Sequence, residues 1–145
     1  MSASPTDAPT PETIELIGLW RLAAVTNWTD GVMTNTHAMG SDPAGYITYS
    51  PQGRMMVVLD RRSAAAPAKN RFGQEPIFAY AGHYTRKGGV VTHHLEMCTA
   101  VADIGTDYVR VIEVAGESLF LCTEPVAKGG KTYVSKLEWV RDRGE

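Results

Sequence analysis

The chain has 145 residues, 43% of them apolar and 21% charged, with 14 basic against 16 acidic residues for a formal net charge of −2. That is one domain's worth of ordinary soluble composition, long enough to bury a hydrophobic core. The charges are scattered without a basic block, which argues against nucleic acid or an anionic membrane surface as a partner.

Residues 1 to 10, MSASPTDAPT, are too polar to offset their own ordering entropy and read as a flexible tail before a single domain at 11–142. No basic residue there leads into an apolar run, and no stretch of the chain reaches membrane-spanning length, so the expected location is the cytoplasm. Thr10 is placed to cap a short helical turn that starts at Pro11, takes contacts from Ile14, Leu16 and Ile17, and stops at Gly18. Strand signals then dominate, at roughly 19–27, 44–50, 54–60, 77–86, 89–97, 107–114, 117–123 and 131–141, eight in all. Pro51-Gln52-Gly53, Gly88-Gly89 and Ala115-Gly116 are hairpin signals, which favours an up-and-down order. Two connections, 28–43 and 61–76, exceed hairpin length, and at a common end they would form a mouth and a lid. Cys98 and Cys122 are distant in sequence and read as reduced thiols.

In the last segment Tyr133, Ser135, Leu137 and Trp139 alternate with Thr132, Lys136 and Glu138, so one face is dry and the other wet. Eight such strands predict an all-β fold, a closed eight-stranded antiparallel barrel with a short helical turn ahead of it. A β-sandwich is the alternative.

The segment GGVVTHHLEMC at 88–98 sets two histidines side by side on a strand, where neighbours point to opposite faces. A Gly88-Gly89 turn pairs Lys87 with Val90, and the register then sets Tyr84 against His93 and His83 against His94. Tyr84 and His93 share their face with Tyr80, Val91, Leu95 and Met97, the better candidate for a lumen, whereas His83 and His94 share theirs with Thr85, Thr92 and Glu96. His93 is therefore a candidate proton shuttle with Tyr84 to orient it. The plainer reading is that His93 hydrogen-bonds Tyr84 or a buried water and only fixes the core. Arg110 in DYVRVIEV faces in or out with equal support; facing in, it becomes a candidate clamp for a carboxylate or enolate. Tyr46, Met55, Val57, Tyr80, Leu95, Met97, Tyr133 and Leu137 complete the expected ligand-lining set, while Trp20 and Trp139 read as core.

His83, His94 and Glu96 carry zinc-type ligands, but their expected solvent-facing position and the lack of a His-Glu-x-x-His pattern argue against a metal. There is no phosphate-binding glycine loop, no dinucleotide fingerprint, no activated cysteine, and Ser63 sits in no nucleophile elbow. Any chemistry would be acid–base and cofactor-free.

Gly18-Leu19-Trp20-Arg21-Leu22, Gly45-Tyr46-Ile47 through Tyr49, Pro51 and Gly53-Arg54-Met55, then Gly82, Tyr84, Val91-Thr92-His93-His94, Leu137 and Trp139 resemble the calycin group, and within it the small bacterial and fungal lipocalin-like domain family. The resemblance covers most of 14–141 and implies a barrel whose closed end is plugged by Trp20. It also implies a small apolar or aromatic ligand, natural-product-like, bound in the lumen. Such barrels include carriers as well as cofactor-independent isomerases, cyclases and decarboxylases. A binding protein that acts on its ligand as an isomerase, cyclase or lyase, a carrier or sensor that does not, and a structural domain with a filled interior all remain open. So does the oligomeric state, a homodimer included.

Overall fold

A computed structural model describes residues 8–60 and 77–144. Its strands are β1 (Gly18–Thr29), β2 (Val32–Asn35), β3 (Ala44–Tyr49), β4 (Arg54–Asp60), β5 (Ile77–Lys87), β6 (Val90–Cys98), β7 (Asp107–Ala115), β8 (Ser118–Thr123), β9 (Val126–Lys128) and β10 (Lys131–Arg141). They pair in the order β2-β1-β3-β4-β5-β6-β7-β8-β10-β9, and a further β1–β10 pairing closes the ring. Eight antiparallel strands thus form a closed barrel. β2 and β9 extend β1 and β10 as short hairpin arms; both are exposed throughout and lie inside connections that carry no strand signal of their own. The expected helical turn is a hydrogen-bonded turn in which Ile14 N–H reaches the Thr10 carbonyl and Thr13 N–H reaches the Thr10 hydroxyl.

Period-two alternation decides what enters the core. β4 buries Met55, Val57 and Leu59 and exposes Arg54, Met56 and Val58. Trp20, Leu22, Ile47, Val91, Leu119 and Trp139 join them from around the ring. Closure leaves no ring strand with an unpaired edge, which satisfies backbone donors and acceptors that an open sheet would expose.

Two expectations about faces fail on β3 and β10. Tyr46 is 49% exposed, because β3 turns Gly45, Ile47 and Tyr49 inward and Gly45 meets the Leu59 side chain where any larger residue would collide. Tyr133 is 41% exposed: it lies at the start of β10, opposite Thr29 and Val126, where the strand has left the barrel to form its arm. Leu137, further along, does pack on the core.

A third correction comes from a β-bulge. The Gly88-Gly89 turn sets Tyr84 opposite His93 and His83 opposite His94, as the sequence register requires, but Gly82 pairs with Leu95 and Ala81 with Met97, leaving Glu96 extra. Beyond the bulge the faces exchange, so Met97 stands 64% exposed on the outside and Cys98 turns partly inward. Gly82 is required there. A Cβ at this position would sit 1.8 Å from the His94 carbonyl oxygen.

The two ends of the barrel differ. One gathers the tight turns β3–β4, β5–β6 and β7–β8 together with the start of β1 and the end of β10. The segment before β1 crosses it, with Arg86 of β5 donating to the Ile14 and Pro11 carbonyls and Arg141 of β10 donating to those of Ile17 and Glu15. Below that strap Trp20 is buried, its indole N–H on the Leu16 carbonyl and the Arg141 guanidinium 3.9 Å from its ring centroid. Topology brings the 28–43 connection, the end of β4 and the start of β5 to the opposite end. Residues 61–76, where a lid is expected, lie outside the described residues.

Candidate functional site

Inside the barrel the polar chemistry converges on His93, 1% exposed and the one buried polar or charged residue among those described. Tyr49 of β3 places its hydroxyl 2.6 Å from Nε2, and Tyr80 of β5 places its own 2.8 Å from Nδ1. Both ring nitrogens are thereby engaged by phenols from two other strands, with ring centroids 5.6 and 5.7 Å away. Burial pushes the imidazole pKa down to about 3, with Arg110 and then His94 adding to the shift, so the ring is neutral at ordinary pH. Burial also raises both phenols, Tyr80 to about 12 and Tyr49 well above its usual value. A neutral imidazole has one N–H and one lone pair, so one tyrosine donates to His93 and the other accepts from it.

Arg110 lies on the inward face of β7, in step with Tyr108, Ile112 and Val114, which pack on or within the core. Ile112 is 2% exposed while its neighbours Val111 and Glu113 are exposed, and that alternation decides the strand's orientation. The guanidinium sits 5.1 Å from the Tyr108 ring centroid, donates to the Val109 carbonyl, and is close enough to act electrostatically on Tyr49, Tyr80 and His93. Tyr108 in turn stacks edge-on against Tyr80 and donates its hydroxyl to Asp103.

The partner expected for His93 is displaced. Tyr84 stands opposite it in the ladder and only half-buried, and it donates its hydroxyl to the Ser50 carbonyl while packing edge-on against Tyr49. Met55, Val57, Tyr80 and Leu95 face the interior beside the histidine. Tyr46, Met97 and Tyr133 do not. Tyr49 is the residue the sequence reading missed, although the signal was present: once Ile47 points inward, Tyr49 two positions on must do so too.

The outer surface of the same strands carries a second polar group. His83 and His94 stack with centroids 4.4 Å apart at 17°. His83 Nδ1 is 2.8 Å from Glu96, which also takes Arg54 through both oxygens; His94 Nδ1 is 2.8 Å from Asp107, and its Nε2 meets the Thr85 hydroxyl. These pairs are largely exposed, so each is worth little. Among the described residues no helix is long and apolar enough to cross a membrane.

A family model described as a lipocalin-like domain matches residues 17–142, nearly the whole barrel. No curated protein matches the chain.

Proposed function

The chain belongs to the lipocalin-like domain family, and from that membership and the geometry at His93 we propose that it binds one small, largely apolar or aromatic molecule inside the barrel, with the ligand's polar end at Tyr49, His93 and Tyr80. The observation that carries this reading is a neutral imidazole held at both nitrogens by phenols, with Arg110 near and the other fully buried neighbours apolar among the described residues. A core histidine needs one partner for its N–H; two aromatic hydroxyls around a neutral ring build a polar end that a ligand can share. Met55, Val57 and Leu95 supply the apolar wall. The reading includes a cytoplasmic protein, free or as a homodimer, that engages neither nucleic acid nor membrane.

The relay also supports acid–base work on the ligand, as a cofactor-independent isomerase, cyclase or lyase. If the tyrosine that accepts from His93 protonates a ligand oxygen, His93 passes it the ring N–H proton and takes one at its other nitrogen from the second phenol, which is left as a phenolate and takes a proton in turn from an acidic C–H of the ligand. No imidazolium forms, so a pKa near 3 does not stop the transfer. Tyr84 orients the group by packing against Tyr49, and Arg110 steadies charge on the oxygens.

Binding is tested by titrating the full chain with N-phenylnaphthylamine, whose fluorescence rises in apolar surroundings, and repeating with Val57→Trp to fill the interior. Loss of the signal in the folded variant supports a lumenal site, and an unchanged signal removes it. For chemistry, a bound molecule with an acidic C–H is incubated in deuterium oxide. His93→Gln slowing exchange by roughly 10²- to 10⁴-fold with affinity retained marks the relay as catalytic. Absence of exchange in the wild type leaves a carrier.

A further inference from the structure

Counting hydrogens at the polar end narrows the ligand class, on the premise that the interior is the binding site. The Tyr49–His93–Tyr80 chain holds three protons for two bonds: one phenol donates to the ring, the ring donates to the other phenol, and the second phenol keeps an O–H. Neither tyrosine makes another hydrogen bond among the described residues, so that O–H has no acceptor among them. Tyr84 and Tyr108 have already given their hydroxyl protons to Ser50 and Asp103. Arg110 gives one N–H bond to a backbone carbonyl, and among the described residues no carboxylate forms an ion pair with it. The buried Trp139 indole N–H, also inside the ring, lacks an acceptor among the described residues as well. Among the described residues the interior thus offers donors and a cation without matching acceptors.

We propose that the lumen selects apolar organic anions, molecules whose carboxylate, phenolate or enolate oxygen takes the Arg110 guanidinium and the spare tyrosine hydroxyl while the rings or chain lie against Met55, Val57 and Leu95. A charged donor in a half-buried setting is a strong hydrogen-bond partner for an anion and a poor one for a neutral hydrocarbon. A buried hydroxyl proton without an acceptor is destabilising until one arrives. The same donors would stabilise negative charge that develops on a ligand oxygen, so the specificity serves a carrier and an enzyme alike.

The experiment compares anilinonaphthalene sulfonate with N-phenylnaphthylamine, the same ring system without the sulfonate. The wild-type chain should bind the anionic probe at least about tenfold more tightly, as one charge-assisted contact provides. Arg110→Met should bring the two affinities together by weakening the anion alone, and Arg110→Lys should keep part of the preference if Met at this position fails to fold. An apolar groove of about 410 Å³ on the outer face, floored by Met56, Ala81 and Met97, is a competing site for such dyes. Met56→Glu must therefore leave both affinities unchanged. Equal affinities in the wild type, a preference that survives Arg110→Met, or loss of the anionic probe in Met56→Glu would each overturn the proposal. Binding of the neutral probe inside the barrel without any anion preference leaves the lumenal reading standing and removes only the anion class, whereas binding of neither probe removes both.

Discussion

His93 and His94 are adjacent in the chain and share residue type, strand and cross-strand neighbourhood, yet they occupy opposite extremes of environment. His93 is sealed between two phenols and held neutral; His94 stacks on His83 at the surface with Asp107 and Thr85 as its partners. A strand's twofold alternation, applied to a closed barrel, converts a step of one residue into passage from solvent to core. The lesson extends to the charges. The outer carboxylates satisfy their histidines in a wet, screened setting, whereas among the described residues the inner cation meets a backbone carbonyl and an aromatic face and forms no ion pair.

The most severe way to break the comparison is to remove the device that maintains it. Gly82→Ala drives a Cβ into the His94 carbonyl oxygen and forces the bulge to move, so we expect a loss on the order of 3 kcal/mol or more in urea unfolding. A loss below about 1 kcal/mol would mean that the bulge yields and does not fix the two faces. Next come the histidines themselves. His93→Ala opens a cavity and strands two buried hydroxyls, at about 3 kcal/mol, while His94→Ala should stay within about 0.5 kcal/mol. Similar losses for both would erase the distinction between inside and outside.

Acid sharpens the comparison further. His93 is neutral when folded, with a pKa lowered from 6.5 to about 3, so the unfolded chain takes up a proton that the native state refuses. The resulting stability is complete above pH 6.5 and drains away as pH falls towards 3. Between pH 7 and pH 5 it should decline by about 2 kcal/mol in the wild type, and His93→Phe should lack that component of the slope. Parallel slopes would place the ring in a far wetter site. The smallest effect belongs to the surface. Glu96→Gln removes an exposed carboxylate that His83 first, and Arg54 after it, holds below the usual range. We expect no resolvable change in melting temperature, and a clear drop would show the outer cluster to be structural.

Alternation and turn chemistry determined much of this protein from sequence alone. The eight barrel strands, the Gly88-Gly89 register that pairs Tyr84 with His93, and the inward set Met55, Val57, Tyr80, His93 and Leu95 all follow from local patterns. Tyr49 was within reach of the same rule. What tertiary structure alone decided is where those rules stop. The extra residue at Glu96 reverses the faces beyond Leu95 because Gly82 lets two backbones approach, and nothing local to Met97 records that reversal. Tyr133 follows the alternation of β10 and is still wet, because the strand has outrun the ring there. Arg110 faces inward through its ladder partners, its own segment being apolar on both faces. The choice of Tyr49 over Tyr84 as a partner of His93 is likewise a matter of closure. Bending the sheet into a barrel brings β3 across to β6, and a side chain opposite in the ladder can lose a contact that one from across the interior makes.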